Sequence, residues 1–216
     1  RKYICHGMRL STDRDRLFGR LKSINKRNIR KAINAGITVV HDNNMDRLRD
    51  YYKLHCLTRK KHGLPPQPFS FFLNIHRYIL KQGRGFISLA MFTGKPIAGA
   101  IFLDFGKKAL YKFGSSNPRY LYLRPNNLVI WDAICHYAER GYTDFSFGRT
   151  DTENTGLLDF KNQWGAEEIE LRYSVTNSSF AEHHSGYGQK VLNEILRHLP
   201  VSVLRLVGKL FYRFMG

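Results

Sequence analysis

The stretch FISLAMFTGKPIAGAIFLDFGKKALYKFGS, residues 86–115, decides the fold. Segments 86–92, 96–105 and 109–115 are rich in aliphatic and aromatic side chains, which suit a pleated, half-buried surface. Thr93-Gly94-Lys95 and Gly106-Lys107-Lys108 separate them. Connections this short make hairpins, so the three segments read as an antiparallel meander.

Upstream of the meander the period is helical. Residues 13–35 place Leu17, Leu21 and Ile24 at helix spacing among Arg14, Arg16, Arg20, Lys22, Lys26, Arg27, Arg30 and Lys31, and Gly36 ends the run. Residues 37–41 read as a short strand. Asn43-Asn44 offers an N-cap to a helix over 45–62, which Gly63-Leu64-Pro65-Pro66 stops. A second helix, 69–82, carries Phe71, Phe72, Ile75, Tyr78 and Ile79 on a broad apolar face. Residues 1–10 read as a strand with no upstream partner in view.

Downstream, Arg124-Pro125-Asn126-Asn127 leads into an apolar helix over 128–140 that ends at Gly141. A strand over 143–147 follows. It is separated from the meander by a whole helix, so it pairs parallel to an earlier strand rather than through a tight turn. Residues 148–156 read as a polar loop, 157–163 as a short helix and 166–175 as a last strand. From 186 onward Val191, Ile195, Leu199, Val203, Leu206, Leu210 and Phe214 recur at helical spacing beside Arg197, Arg205, Lys209 and Arg213, with a kink expected at Pro200.

Charge is the loudest feature of the composition. The 216 residues hold 35 Lys plus Arg against 17 Asp plus Glu, a net +18, which favours partners rich in phosphate or carboxylate. A solvated face accounts for part of such an excess. Cys5, Cys56 and Cys135 are too few and too scattered for a disulfide framework or a zinc site. The histidines His41, His55, His62 and His76 are dispersed, and the His183-His184 pair cannot face one way on a helix, so no metal is expected. The chain opens on Arg1 and is expected to be a fragment of a longer protein, lodged in the cytoplasm or peripherally at the inner face of the membrane.

Several stretches carry a resemblance to known proteins. They are Arg27-Asn28-Ile29-Arg30-Lys31-Ala32 before Gly36-Ile37, Gly94-Lys95-Pro96-Ile97-Ala98-Gly99, Arg124-Pro125-Asn126-Asn127-Leu128, Phe145-Ser146-Phe147-Gly148-Arg149-Thr150, and Gly156-Leu157-Leu158-Asp159-Phe160-Lys161-Asn162-Gln163-Trp164-Gly165. In these motifs and in element order the chain resembles the FemAB-like and BioF2-like acyltransferases of the GNAT superfamily. The resemblance implies an α+β GNAT fold, a mixed and mostly antiparallel sheet flanked by helices. It also implies three parts: residues 1–35 as the remnant of a preceding GNAT-like domain with a connecting basic helix, 36–176 as the acyltransferase domain, and 177–216 as an amphipathic basic helix.

The function so implied is N-acyl transfer of an aminoacyl or acyl group to an amine on a cell-envelope precursor, lipid-linked or nucleotide-linked. No tightly bound cofactor is expected; the donor is aminoacyl-tRNA or acyl-CoA. CoA-binding members of the superfamily cradle a pyrophosphate on glycine-rich backbone N–H groups. Residues 118–127 contain no glycine, which tilts the donor toward tRNA. An acyl-CoA-dependent acetyltransferase and a non-catalytic basic nucleic-acid-binding module stand as alternatives.

Amide formation needs a positioned carbonyl, a delivered amine and donors for the oxyanion, without an enzyme-bound nucleophile. Lys161, in the Phe-Lys motif of the families resembled, is the first candidate, to neutralise a donor phosphate or the oxyanion; a plain surface lysine is the competing reading. Arg149 follows an expected strand end and is suited to clamp a phosphate or to pair with Asp151 or Asp159. Asp151 and Glu153 are the nearest groups to take the proton of the amine. Arg124, Asn126 and Asn127 stand at a helix start, as anion contacts or, for Asn126, as a simple N-cap. Tyr111, Ser115 and Ser116 end the third meander strand where a central cleft is expected, although core filling also explains Tyr111. Cys135 is read as core.

Overall fold

The computed structural model describes residues 2–173 and 187–212. In chain order the elements are β1 (Lys2–Arg9), α1 (Arg14–Arg20), α2 (Ser23–Asn34), β2 (Thr38–His41), α3 (Met45–Lys61), α4 (Phe69–Tyr78), β3 (Gly85–Phe92), β4 (Lys95–Phe105) and β5 (Lys108–Ser116), then α5 (Pro125–Glu139), β6 (Asp144–Asp151), α6 (Thr155–Asn162), β7 (Glu167–Arg172), α7 (Tyr187–His198) and α8 (Val201–Phe211). The strands form one sheet in the order β2-β3-β4-β5-β6-β1-β7. Every neighbouring pair is antiparallel except β5 with β6, which is parallel, as the intervening helix requires.

Both faces of the central strands are covered. Ile87, Leu89 and Ile101 pack with Tyr51, Leu54 and Phe72 of α3 and α4 on one side. Phe86, Ala90, Phe102, Phe145 and Phe147 pack with Ile29, Val129, Trp131, Ile134 and Trp164 on the other. Burial on two faces is why β3 reads as a continuous apolar run rather than an alternating one.

Three local expectations differ from the structure, each for a tertiary reason. The single helix expected over 13–35 breaks at Leu21, whose backbone is extended (φ −67, ψ 142). Lys22 N–H bonds the Gln163 carbonyl at 3.1 Å, so the break is stitched to the segment after α6. The helix expected to reach residue 82 closes its α-helical part at Tyr78 and ends in a 3-10 turn, Leu80–Gln82. The polar loop expected from residue 148 begins later, because β6 runs on to Asp151, held by antiparallel pairing of Cys5, Ile4 and Tyr3 with Arg149, Thr150 and Asp151.

That pairing places residues 2–9 inside this sheet, between β6 and β7. The division expected at residue 36 therefore does not separate two sheets within the described residues. The boundary at 176, the end of the last strand at 174–175, the His183-His184 pair and the Arg213 and Phe214 end of the basic tail lie outside the described residues. The tail forms two helices parted at Pro200, as its kink predicts. Among the described residues no helix is long and apolar enough to cross a membrane.

Candidate active site

The two parallel strands at the centre of the sheet separate. β5 and β6 are paired only over Lys108, Ala109 and Leu110 with Asp144, Phe145 and Ser146. Beyond that point β5 continues to Ser116 beside β4, and β6 continues to Asp151 beside β1, with no pairing to each other. A wedge opens between residues 111–116 and 147–151.

A bulge sits on each strand where the wedge begins. On β5 the register passes from Phe102–Tyr111 to Ile101–Phe113, leaving Lys112 as an extra residue. On β6 it passes from Gly7–Ser146 to His6–Gly148, leaving Phe147 extra. Bulges bend and twist a strand, and one on each side turns the two strands apart. Gly148 takes φ +70, a left-handed conformation that glycine adopts without the steric cost a side chain would bring.

Lys161 closes the base of this arrangement. It projects from α6, whose N-terminus is capped by the Asn154 side chain on Leu157 N–H. Its side chain is buried, 3% exposed, and its ammonium donates to the Gly148 carbonyl at 2.8 Å and the Arg149 carbonyl at 3.4 Å. It thus serves main-chain acceptors on the strand that has parted from its neighbour. Burial pulls the ammonium down to about 8, with the Cys5 thiol acting weakly in the opposite direction. Lys161 is therefore no surface lysine.

Tyr111 faces β6, the strand that Lys161 holds, from the other side of the wedge. Its ring lies 5.6 Å from Phe102 and 6.4 Å from Phe147, and burial pushes its phenol up to about 12. The hydroxyl rests against Gly114, where any Cβ would overlap it. It has no hydrogen-bond partner among the described residues.

The bulge at Lys112 sends Ser115 to the opposite face from Tyr111, although the two residues are four apart. A one-residue slip reverses every later side chain. Ser115 is buried under α3, with its hydroxyl 3.4 Å from both the Tyr51 hydroxyl and His55 Nδ1. His55 Nε2 meets the Gln67 side chain at 2.7 Å. Desolvation lowers His55 to about 4, so the ring is neutral at physiological pH. Ser116 is tied beside it by Thr58, whose hydroxyl receives Ser116 N–H at 2.8 Å. The sequence carried no sign of this cluster, because Ser115 joins His55 from 60 residues away.

Arg149 is exposed, its guanidinium 4.7 Å from the centre of the Tyr3 ring and 5.2 Å from that of Tyr173, two rings that themselves meet edge-on at 5.3 Å. It forms no ion pair with Asp159. Asp151 ends β6 and accepts Glu153 N–H at 3.2 Å, a turn that leads into α6; Glu153 itself is exposed. The Lys161 ammonium meets this strand end through the main chain of Gly148 and Arg149, while the Arg149 side chain turns to Tyr3.

At the start of α5 the cap is Arg124, in a left-handed conformation with φ 62, followed by Pro125. Asn126, read as a possible N-cap, falls instead within the first turn, because the left-handed turn at Arg124 begins the helix two residues earlier. Asn127 is buried and donates its side-chain N–H to Asn25 at 2.8 Å, joining α5 to α2. Cys135 is buried in the core, where desolvation raises its thiol to about 11. Among the described residues no group of three His, Cys, Asp or Glu side chains is placed to hold a metal ion.

This geometry has counterparts. The family model for the acetyltransferase (GNAT) domain matches residues 20–162. The lipid II:glycine glycyltransferase of Staphylococcus epidermidis is 28% identical over 116 residues, 51% of this chain and 25% of its own length. The chain thus spans about a quarter of the length of that relative. Among solved structures, FemX superposes with a TM-score of 0.71 at 17% identity, over 76% of this chain and 59% of its own. AAC(6')-Iy, solved with a CoA bisubstrate analogue, superposes with a TM-score of 0.52 at 18% identity, over 65% of this chain and 97% of its own. The family model covers well over half of the chain, and the chain belongs to the acetyltransferase (GNAT) domain family.

Proposed function

We propose that this chain carries the acyl-transfer site of an N-acyltransferase, passing an aminoacyl group from tRNA to an amine of a cell-envelope precursor, lipid-linked or nucleotide-linked. The observation that carries this reading is the wedge between β5 and β6, with the buried ammonium of Lys161, from α6, held on the β6 main chain and the Tyr111 hydroxyl, without a partner among the described residues, on β5. A donor carbonyl held between such strands meets main-chain groups that have no sheet partner. The similarity to a lipid II:glycine glycyltransferase supports an envelope acceptor.

In the reaction the amine nitrogen adds to the donor carbonyl carbon and the carbonyl electrons move to oxygen. Tyr111, kept protonated by burial, donates to that oxyanion, and the positive charge of Lys161 offsets it. Collapse breaks the ester C–O bond. The proton shed by the amine passes through Asp151 to the leaving oxygen, with exposed Glu153 positioned to orient the incoming amine. Arg149 and Arg124, both exposed, supply contacts for donor phosphates. Ser115 and Asn127 act from inside, holding the ends of β5 and α5.

The start of α5 favours tRNA over acyl-CoA as donor. Pro118–Leu123 is a 3-10 turn, and Pro125 at the first helical position has no N–H to offer a pyrophosphate. The same reading places the protein in the cytoplasm, at the inner face of the membrane where lipid-linked acceptors lie. The test is to incubate the protein with charged tRNA or acyl-CoA and a labelled amine. Transfer from charged tRNA is expected; stable CoA binding with no response to tRNA would overturn the tRNA reading.

A further inference from the structure

Helices α7 and α8 are fixed to the domain by narrow faces and leave broad apolar faces outward. Gly208 lies against the Pro66 carbonyl and Gly63 against the Asn193 main chain, so closely that neither position has room for a Cβ. Leu204, one turn before Gly208, is fully buried. Leu196 of α7 is buried as well and Val201 of α8 packs on the core, whereas Val191, Leu192 and Ile195 on α7, and Val203, Leu206, Leu210 and Phe211 on α8, are each between 40% and 57% exposed. Scattered exposed apolar residues are ordinary on a protein surface. Seven on two consecutive helices mark a surface that something covers.

The charge beside these residues indicates what covers them. A groove of about 440 Å³ between α4 and α8 is lined by Tyr52, Phe69, Ser70, Ser202, Arg205 and Lys209, with no acid among its lining residues. The Arg205 guanidinium stands 5.4 Å from the centre of the Tyr52 ring, which holds it at the groove wall. Glu194, the acidic residue of α7, is already engaged by Arg197 at 2.9 Å and His198 at 3.2 Å. A second copy of this chain brings a net charge of +18 to the same contact, which opposes self-association. Apolar side chains flanked by unneutralised cations match an anionic lipid surface.

We propose that α7 and α8 are the docking element of this protein for an anionic phospholipid bilayer. The outward apolar residues enter the boundary between headgroups and acyl chains. Arg205 and Lys209 take a headgroup phosphate into the groove, where the Ser70 and Ser202 hydroxyls complete its hydrogen bonds. The element stands at the end of the domain where the wedge opens: α3 holds Ser116 through Thr58, near its C-terminal end, and that same end leads directly to Gly63, against which α7 packs. Docking so placed turns the wedge toward lipid-linked acceptors; that consequence alone rests on the acyl-transfer reading.

The test is co-sedimentation of the protein with vesicles of phosphatidylcholine, alone or mixed equally with phosphatidylglycerol. Binding is expected to the mixed vesicles only and to weaken as salt is raised. The double change Arg205→Ala, Lys209→Ala lowers the partition coefficient about thirtyfold, and Leu206→Asp, Leu210→Asp abolishes binding. Both pairs are exposed, so circular dichroism and melting temperature stay unchanged. Absence of binding to either vesicle, binding that neither double variant alters, or a concentration-dependent dimer in place of vesicle binding each overturns the proposal. No acyl donor is present in this assay, so its outcome is independent of whether the protein transfers acyl groups.

Discussion

The Lys161 ammonium donates to the Gly148 carbonyl across 2.8 Å, joining α6 to the bulged strand that bounds the central wedge. Replacing it by methionine keeps the length of the stem and removes the donor. The Gly148 carbonyl is then left unserved, at about 1–3 kcal/mol, partly offset because no ammonium has to be buried. Lys161→Met is expected to fold, to melt within a few degrees of the parent, and to transfer acyl groups at least about tenfold more slowly. Single-turnover transfer beside a thermal melt checks this.

Stability should respond to Lys161 in one direction only. Its folded-state value is pulled down to about 8, below the unfolded value of about 10.4. Between these values the unfolded chain binds more protons, so unfolding becomes harder as pH rises. The melting temperature of the parent relative to Lys161→Met is expected to climb between about pH 8 and pH 10. A flat or falling difference would show that the ammonium is not desolvated.

Tyr111 and Gly114 form a steric pair. Tyr111→Phe keeps the ring packing and deletes the hydroxyl, with an expected loss of about a hundredfold in transfer rate and little change in stability. Gly114→Ala forces the phenol away from its place and should cost transfer to a similar degree. Gly19→Ala, with nothing within 4 Å of the added carbon, is the matched control and should leave the rate unchanged.

Acid sensitivity is expected to come in part from His55. Desolvation lowers it to about 4, while the unfolded ring titrates near 6.5. Its contribution is full above about pH 6.5 and is lost as pH falls toward 4. His55→Gln should show a shallower loss of stability across that window, read from urea unfolding at stepped pH. Ser115→Ala, which removes a neighbour of the ring at 3.4 Å, should leave the window in place.

Gly208→Val places a branched side chain against the Pro66 carbonyl. Overpacking of this kind costs about 1–3 kcal/mol, and here it falls on the seat of α8 rather than on the sheet. Limited proteolysis near residues 199–208 is expected to accelerate while the remainder of the domain stays protected.

The meander at 86–115, the helix after Arg124, the parallel strand before Gly148 and the amphipathic tail parted at Pro200 are all legible in the sequence, because each is set by periodicity and turn residues within a short window. Lys161 was singled out through its motif; Arg149, expected just after a strand, lies within β6, paired with Cys5. Their environments were not legible. The burial of Lys161 depends on Gly148, thirteen positions earlier, and the place of Arg149 on Tyr3, at the far end of the chain.

Sequence alone determined the order and type of the elements, the apolar faces and the absence of glycine before α5. Tertiary structure decided the position of β1 between β6 and β7, the break at Leu21, and the division of Tyr111 from Ser115 onto opposite faces. The physical reason is the same in each case. A bulge, a strand partner or a buried ammonium is selected by main-chain groups distant in sequence that would otherwise lack hydrogen bonds, and no local window contains both members of such a pair.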